Sequence, residues 1–321
     1  MGILLAIEGA ASQGILWGIM ALGVYLTFRI LDIADMTVDG SFATGGAITA
    51  VFVVHGLDPL LALLVAFVVG MITGLVTGLL HTKLKIHILL AGILSMIALY
   101  SINIRIMNGP NTPLIGVNTV MTAIRNALGV NTTIASLIVG GIFIVAIVGL
   151  LYWFFGTELG SAIRATGSNE KMIRALGVNT DNIKILGLMI ANGLVALSGA
   201  LVAQSQGYAD VSMGTGTIVV GLASIIIGEV IFGKHFGFWY TLLSVVFGSI
   251  VYRMIIALVL QLGLKSSDLK LLTAIIVAVA LSVPVVKERI ARRRRTANPG
   301  TLLTDQETQA DADQTHDTVE K

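Results

Sequence analysis

The sequence predicts an all-α, polytopic transmembrane helical bundle with about 8–10 membrane segments, some of them short or broken. Three observations lead there. The chain is 55% hydrophobic and only 12% charged, with a mean hydropathy of +0.92, too little polar surface to cover a water-soluble globule of 321 residues. Runs such as Leu60 to Leu80 and Ile134 to Phe155 supply the roughly 20 apolar residues a helix needs to cross about 30 Å of hydrocarbon. These runs are also too long and too uniformly apolar for the alternating strands of a membrane barrel.

Apolar runs broken by charged or Gly/Pro-containing stretches place nine segments at 9–28, 41–55, 59–80, 88–107, 134–155, 184–206, 217–232, 239–262 and 270–286. The first lacks a basic leader region and a small-residue cleavage site, so it reads as a retained span and not as a signal peptide. Segments 41–55 and 217–232 are short and adjoin polar, glycine-containing sequence, the pattern of interrupted spans that line transport pathways. The third carries Gly70-Met-Ile-Thr-Gly74 and Gly74-Leu-Val-Thr-Gly78, spacings that let backbones approach closely. They read first as a contact within one subunit, with a seam between two copies as the alternative.

Orientation comes from the basic residues. Alternate connections hold fourteen Lys and Arg on one side and four on the other, which puts the basic C-terminal flank in the cytoplasm and, with nine spans, the N-terminus outside. The chain thus divides into a membrane domain at 1–287, with a long inside connection at 156–184, and a basic flank and disordered acidic cytoplasmic tail at 288–321. There is no cysteine, and the five histidines are scattered without ligand spacing, so disulfides, thiolate chemistry and a metal site are not expected.

The inside connection reads GTELGSAIRATGSNEKMIRALGVNTDNIK. Ser168 fits a cap for a helix over Asn169 to Leu176, Gly177 fits the left-handed residue that ends it, and Thr180 or Asp181 fits a cap for the next span. A short amphipathic helix on the cytoplasmic face would offer Glu170, Lys171 and Arg174 to an aqueous partner; the alternative is a solvated connector.

This segment, with the GLMIANGLVALSGALVAQ that follows, resembles the coupling-loop region of ABC importer permeases of the branched-chain amino acid, ribose and nucleoside type. ALGVYLTFRILDIADMTVDGSFATGGA resembles the early region of that family, and GLASIIIGEVIFG and GSIVYRMIIALVLQLGLKSSDLKLLTA resemble a subgroup linked to tryptophan/tyrosine-type binding proteins. The resemblance implies a permease domain at 1–287, a likeness in architecture more than in substrate, and a second permease copy completing the path. It also implies cytoplasmic ABC ATPase subunits docked on Gly160, Arg164, Gly167, Asn169, Glu170, Arg174 and Gly177, and an extracytoplasmic substrate-binding protein. ATP and Mg would act in the partner ATPase, and the permease itself would be neither an enzyme nor a nucleic-acid binder. Gly228-Glu-Val-Ile-Phe-Gly233-Lys234-His235 imitates a phosphate loop, but it lacks the final Ser/Thr and its inner positions are bulky.

Candidate pathway residues are polar groups in apolar surroundings. Asp32, Asp35 and Asp39 are spaced by three and four, which would set three carboxylates on one face of a helix. Three acids cannot face lipid, so they read either as a polar break lining the path or as an interfacial turn in which Asp39-Gly40-Ser41 starts a helix. Arg253, well inside an apolar run, requires a partner, either an acid such as Glu229 or an early Asp, or a substrate carboxylate. Gln204 and Gln206 would bond a passing solute or join helices. The turn-rich stretch Met107 to Leu114 would meet the binding protein or simply connect spans. The function expected is therefore an importer permease for an amino acid or related small polar solute. A secondary carrier coupled to protons or sodium through Asp32, Asp35 or Asp39 is the alternative, and no catalytic motif supports an intramembrane enzyme.

Overall fold

A computed structural model describes residues 2–233, 237–263, 271–279 and 282. The bundle follows the hydropathy pattern closely. The expected first span is α1 (Gly2–Tyr25), extended by a π-helical turn over Leu26–Ile30. The next seven are α2 (Thr37–Val54), α3 (Pro59–Thr82), α4 (Ile88–Met107), α6 (Thr132–Phe155), α9 (Thr180–Gln206), α10 (Thr217–Phe232) and α11 (Phe238–Gln261). Among the described residues, seven helices are long and apolar enough to cross a membrane, and α10 is a shorter apolar helix. Of the expected ninth span, 271–279 is helical; the basic flank and acidic tail lie outside the described residues.

Burial separates the helices by role. Spans α2 and α9 are each 83% buried and form the core with α1, whereas α4 is only 28% buried and turns most of its surface outward. Helix α9 packs against α3, α2 and α1, while α11 packs against α1 and α10. The contact between α3 and α9 depends on small residues: a Cβ at Gly74 would strike the Leu188 carbonyl, and one at Gly70 would meet Ala196 and the Asn192 carbonyl. Gly70, Gly74 and Gly78 therefore serve helix contact inside this one chain.

A chain of buried hydroxyl and amide groups crosses these helices. Thr37 bonds to Thr77 at 2.8 Å, and the Thr77 hydroxyl also donates to Ser95 at 2.7 Å. Ser41 lies 2.6 Å from the Thr73 hydroxyl and donates to Asn192 Oδ1 at 2.7 Å. Asn192 Nδ2 donates in turn to Asp35 Oδ2 at 2.7 Å. The groups of this chain are thereby paired with one another, and α2, α3, α4 and α9 are held in one register.

Several local features depart from the sequence expectations. The connection between α6 and α9 holds two helices, α7 (Glu158–Ser168) and α8 (Glu170–Ala175). Asn169, not Ser168, caps α8, because Ser168 is spent as the last residue of α7. Asn179 caps α9 through bonds from Asp181 N and Asn182 N, one position before the expected Thr180. At the opposite end of the bundle, Asn111–Pro113 (β1) pairs antiparallel with Tyr208–Asp210 (β2). An amphipathic helix, α5 (Val120–Leu128), starts in a reciprocal cap between Thr119 and Thr122 and ends at Gly129 with φ +66°.

Candidate functional site

At the end of the bundle that carries Arg29, the helix pair α7–α8 is fastened on several sides. Thr157 caps α7. Gly160 lies against the backbone of Phe154 and Phe155 at the foot of α6, and Gly167 lies against the carbonyl of Ile30 in the π-helical turn, where any Cβ would collide. Asn169 Oδ1 accepts from Met172 N at 3.0 Å. Gly177, at φ +85°, ends the pair in the expected left-handed conformation. Arg164 stacks over Phe238, 5.1 Å from the ring centroid.

Glu170 is a fastener more than an offered charge. Its carboxylate takes Lys184 Nζ at 2.7 Å and Arg174 Nη2 at 2.9 Å, and the Thr180 hydroxyl lies within 3.3 Å. The hydrogen bond from Lys184 is the main reason this carboxyl sits below the ordinary Glu value; partial burial opposes it, and the charge of Lys184, the Thr180 hydroxyl and the charge of Arg174 add to the lowering. Arg174 also bonds Thr180 at 2.8 Å and approaches Asp181 at 3.6 Å, yet keeps 61% of its side chain exposed. Leu159 on α7, Met172 on α8 and Leu176 at the end of α8 are exposed apolar side chains.

The six candidate pathway residues do not gather at one point. Asp32, Asp35 and Asp39 are not on one helix face, because 31–36 is not helical and the three-four spacing has no meaning there. Asp32 sits in left-handed backbone at φ +55° and is exposed. Asp35 is buried and bonds to Asn192 and to the Thr37 backbone N–H. Asp39 reaches across to the start of α10, accepting from Gly216 N at 2.8 Å, Thr217 Oγ1 at 2.8 Å and Ile218 N at 3.0 Å. It is the cap that lets α10 begin inside the bundle, since Gly216 has no side chain to do so. Ser41 belongs to the buried network. Gln204 joins elements, accepting from Val120 N at 2.9 Å and donating to the Pro59 carbonyl at 3.3 Å.

Arg253 does not pair with Glu229. Gly228 packs against Ser244, so Arg253 lies about 14 Å farther along α11 than the level of Glu229. Glu229 instead receives Arg29, and the Arg253 guanidinium lies over the Trp17 ring, 3.9 Å from its centroid. The phosphate-loop imitation also dissolves: Gly228 to Phe232 is regular helix, with Lys234 and His235 outside the described residues. Among the described residues, no group of three His, Asp or Glu is placed to hold a metal.

Apolar spans tied together by a buried polar network define a polytopic membrane protein. Residues 6–282 match the family described as the permease component of the branched-chain amino acid transport system, and the chain belongs to that family. It is thus a transporter component of the multi-pass membrane class. The chain is 45% identical over 271 residues to a tyrosine transport system permease protein of Clostridioides difficile (strain R20291), covering 84% of this chain and 88% of that one. An uncharacterized protein of Rickettsia prowazekii (strain Madrid E) is 34% identical over 276 residues, covering 85% of this chain and 95% of that one. No solved structure matches the chain.

Proposed function

We propose that this chain is the membrane subunit of an ATP-binding-cassette importer for an amino acid, with aromatic amino acids the first class to test. Two copies form the path, and separate cytoplasmic ATPase subunits, which bind ATP and Mg, dock on α7–α8. An extracytoplasmic binding protein delivers solute at the end that carries β1, β2 and α5. The observation that carries the reading is the α7–α8 pair: capped, clamped at Gly160 and Gly167, and exposing Leu159, Met172, Leu176 and Arg174 in a chain of a permease family. The fourteen-to-four charge bias supports the same orientation, with α7–α8 and the C-terminus cytoplasmic. The Clostridioides relative's name supports the aromatic class. Carrier chemistry through the early carboxylates is disfavoured because Asp35 and Asp39 are both engaged by hydrogen bonds.

Affinity purification of the tagged chain from its native membrane tests this directly. An ATPase subunit should accompany the wild type and be lost in Leu176→Asp, while the variant still inserts. A wild-type chain that purifies without an ATPase would contradict the reading.

A further inference from the structure

Two of the cavities among the described residues border α2, one at each end of that helix. The larger, about 850 Å³, sits among the α2–α3 turn, α5 and α6, and its walls are mostly apolar. Its one carboxylate, Asp58, already caps α3. The smaller, about 340 Å³, lies between α2, α4 and the 211–215 segment that leads into α10, at the low end of the roughly 300–1,000 Å³ range of ligand sites. Its walls are Gly40, Ala43, Met96, Ile97 and Val211 on the apolar side, with Asp39, Tyr100, Asn103 and Thr215 as polar or aromatic members.

Asn103 sets this cavity apart. The residue is 0% exposed, and neither its Nδ2 nor its Oδ1 has a hydrogen-bond partner. Among the described residues it alone has both polar atoms of its side-chain amide buried and unpaired. The network that joins Thr37, Ser41, Thr73, Thr77, Ser95 and Asn192 is satisfied throughout, so a stranded amide in a membrane helix calls for an account. Asp39 in the same wall is committed to the α10 cap, whereas Tyr100, one turn below Asn103 on α4, is 52% exposed and has its ring open to a partner.

We infer that this cavity is a solute subsite for a zwitterionic α-amino acid with an apolar or aromatic side chain. A primary amide offers two donors and an acceptor, the complement of a carboxylate beside an ammonium group. Met96, Ile97, Ala43 and Val211 supply apolar wall for the side chain, and Tyr100 supplies a ring face. The inference rests on the amino-acid importer reading and adds the place and the recognising group. Asp39 ties the subsite to α10, so a shift of that helix would reshape the cavity.

The chain has no cysteine, so a single Thr215→Cys variant of the full chain in nanodiscs reports on the cavity through its rate of maleimide labelling. L-phenylalanine at about twice its Kd should slow labelling about threefold by mass action, L-leucine should also protect, and D-ribose should not. Adding Asn103→Ala should raise the phenylalanine concentration needed about tenfold or more, and Asn103→Leu, which fills the space, should abolish protection. Labelling unaffected by either amino acid, protection by ribose as well, or protection unchanged in Asn103→Ala would overturn the inference. Because no ATPase takes part, those results stand apart from a failure of ATP-driven uptake, which would strike the importer reading instead.

Discussion

Arg29 and Glu229, 200 positions apart, meet in a two-point ion pair, with Nε donating to Oε1 at 3.0 Å and Nη2 to Oε2 at 3.1 Å. The pair links the π-helical turn after α1 to the last turn of α10. The same turn carries the Ile30 carbonyl against which Gly167 of α7 rests. At its other end, α10 is capped by Asp39. A displacement of α7 therefore has a continuous physical route through the turn and along α10 to the cavity wall.

The pair is half-exposed on the Arg29 side, so its net worth is modest, about 1 kcal/mol or less. Arg29→Ala and Glu229→Ala should each lower the thermal midpoint of the purified protein, and the exchanged pair Arg29→Glu with Glu229→Arg should recover most of the loss. Additive losses in the exchanged pair would refute the link.

Glycines in the α7–α8 pair should differ sharply. Gly167→Ala drives a methyl into the Ile30 carbonyl and should cost about 1–3 kcal/mol by overpacking. Nothing lies within 4 Å of a Cβ at Gly177, so Gly177→Ala should cost only the left-handed backbone preference, about 1–2 kcal/mol. Transport assays should separate them further: Gly167→Ala should uncouple uptake, and Gly177→Ala should reduce it less.

The ties around Glu170 make α8 sensitive to acid. Because the folded carboxyl is held below its ordinary value by Lys184 and its neighbours, its contribution is fully present above about pH 4.3, the unfolded Glu value. It fades as pH falls through the lower folded value. The hydrogen-exchange protection of residues 170–175, taken relative to the intrinsic rate at each pH, should therefore fall on acidification across that window, and Glu170→Gln should show low protection at all pH values. Identical pH profiles for the two proteins would argue against the clamp.

Arg253 gives the opposite test. Its Nε is buried without a hydrogen-bond partner, and its guanidinium is stacked on Trp17. An unbranched apolar replacement of similar length should be tolerated, so Arg253→Met should keep the thermal midpoint within a few degrees, an amount equivalent to about 1 kcal/mol. Arg253→Ala should lose more through the space left against Trp17.

The spans were legible because hydrocarbon leaves a 20-residue apolar signature, and the left-handed Gly177 was legible from its place after Leu176. Cap positions slipped by one residue because Ser168 and Asn169 are both good caps, and only tertiary contact of α7 with the Ile30 carbonyl decides which is used. The three aspartates misled because spacing implies a face only where the backbone is helical, and 31–36 is not. Glu229 is one of several partners the sequence offers Arg253, alongside an early Asp and a substrate carboxylate, and the antiparallel geometry of α10 and α11 carries it to Arg29 instead. The strand pair of Asn111–Pro113 with Tyr208–Asp210 joins segments nearly a hundred residues apart and has no local signal. Asn103 carries no signal in the sequence, because one asparagine in a helix is unremarkable until its surroundings show that nothing pairs with it.

The central claim is that another protein's ATP hydrolysis, delivered through α7–α8, drives solute through this chain. Uptake of radiolabelled L-tyrosine into proteoliposomes containing the chain, its ATPase and its binding protein measures that most directly. The account expects uptake that requires ATP and falls to background in Leu176→Asp although the variant inserts normally. ATP-independent uptake, or full uptake by Leu176→Asp, would contradict it.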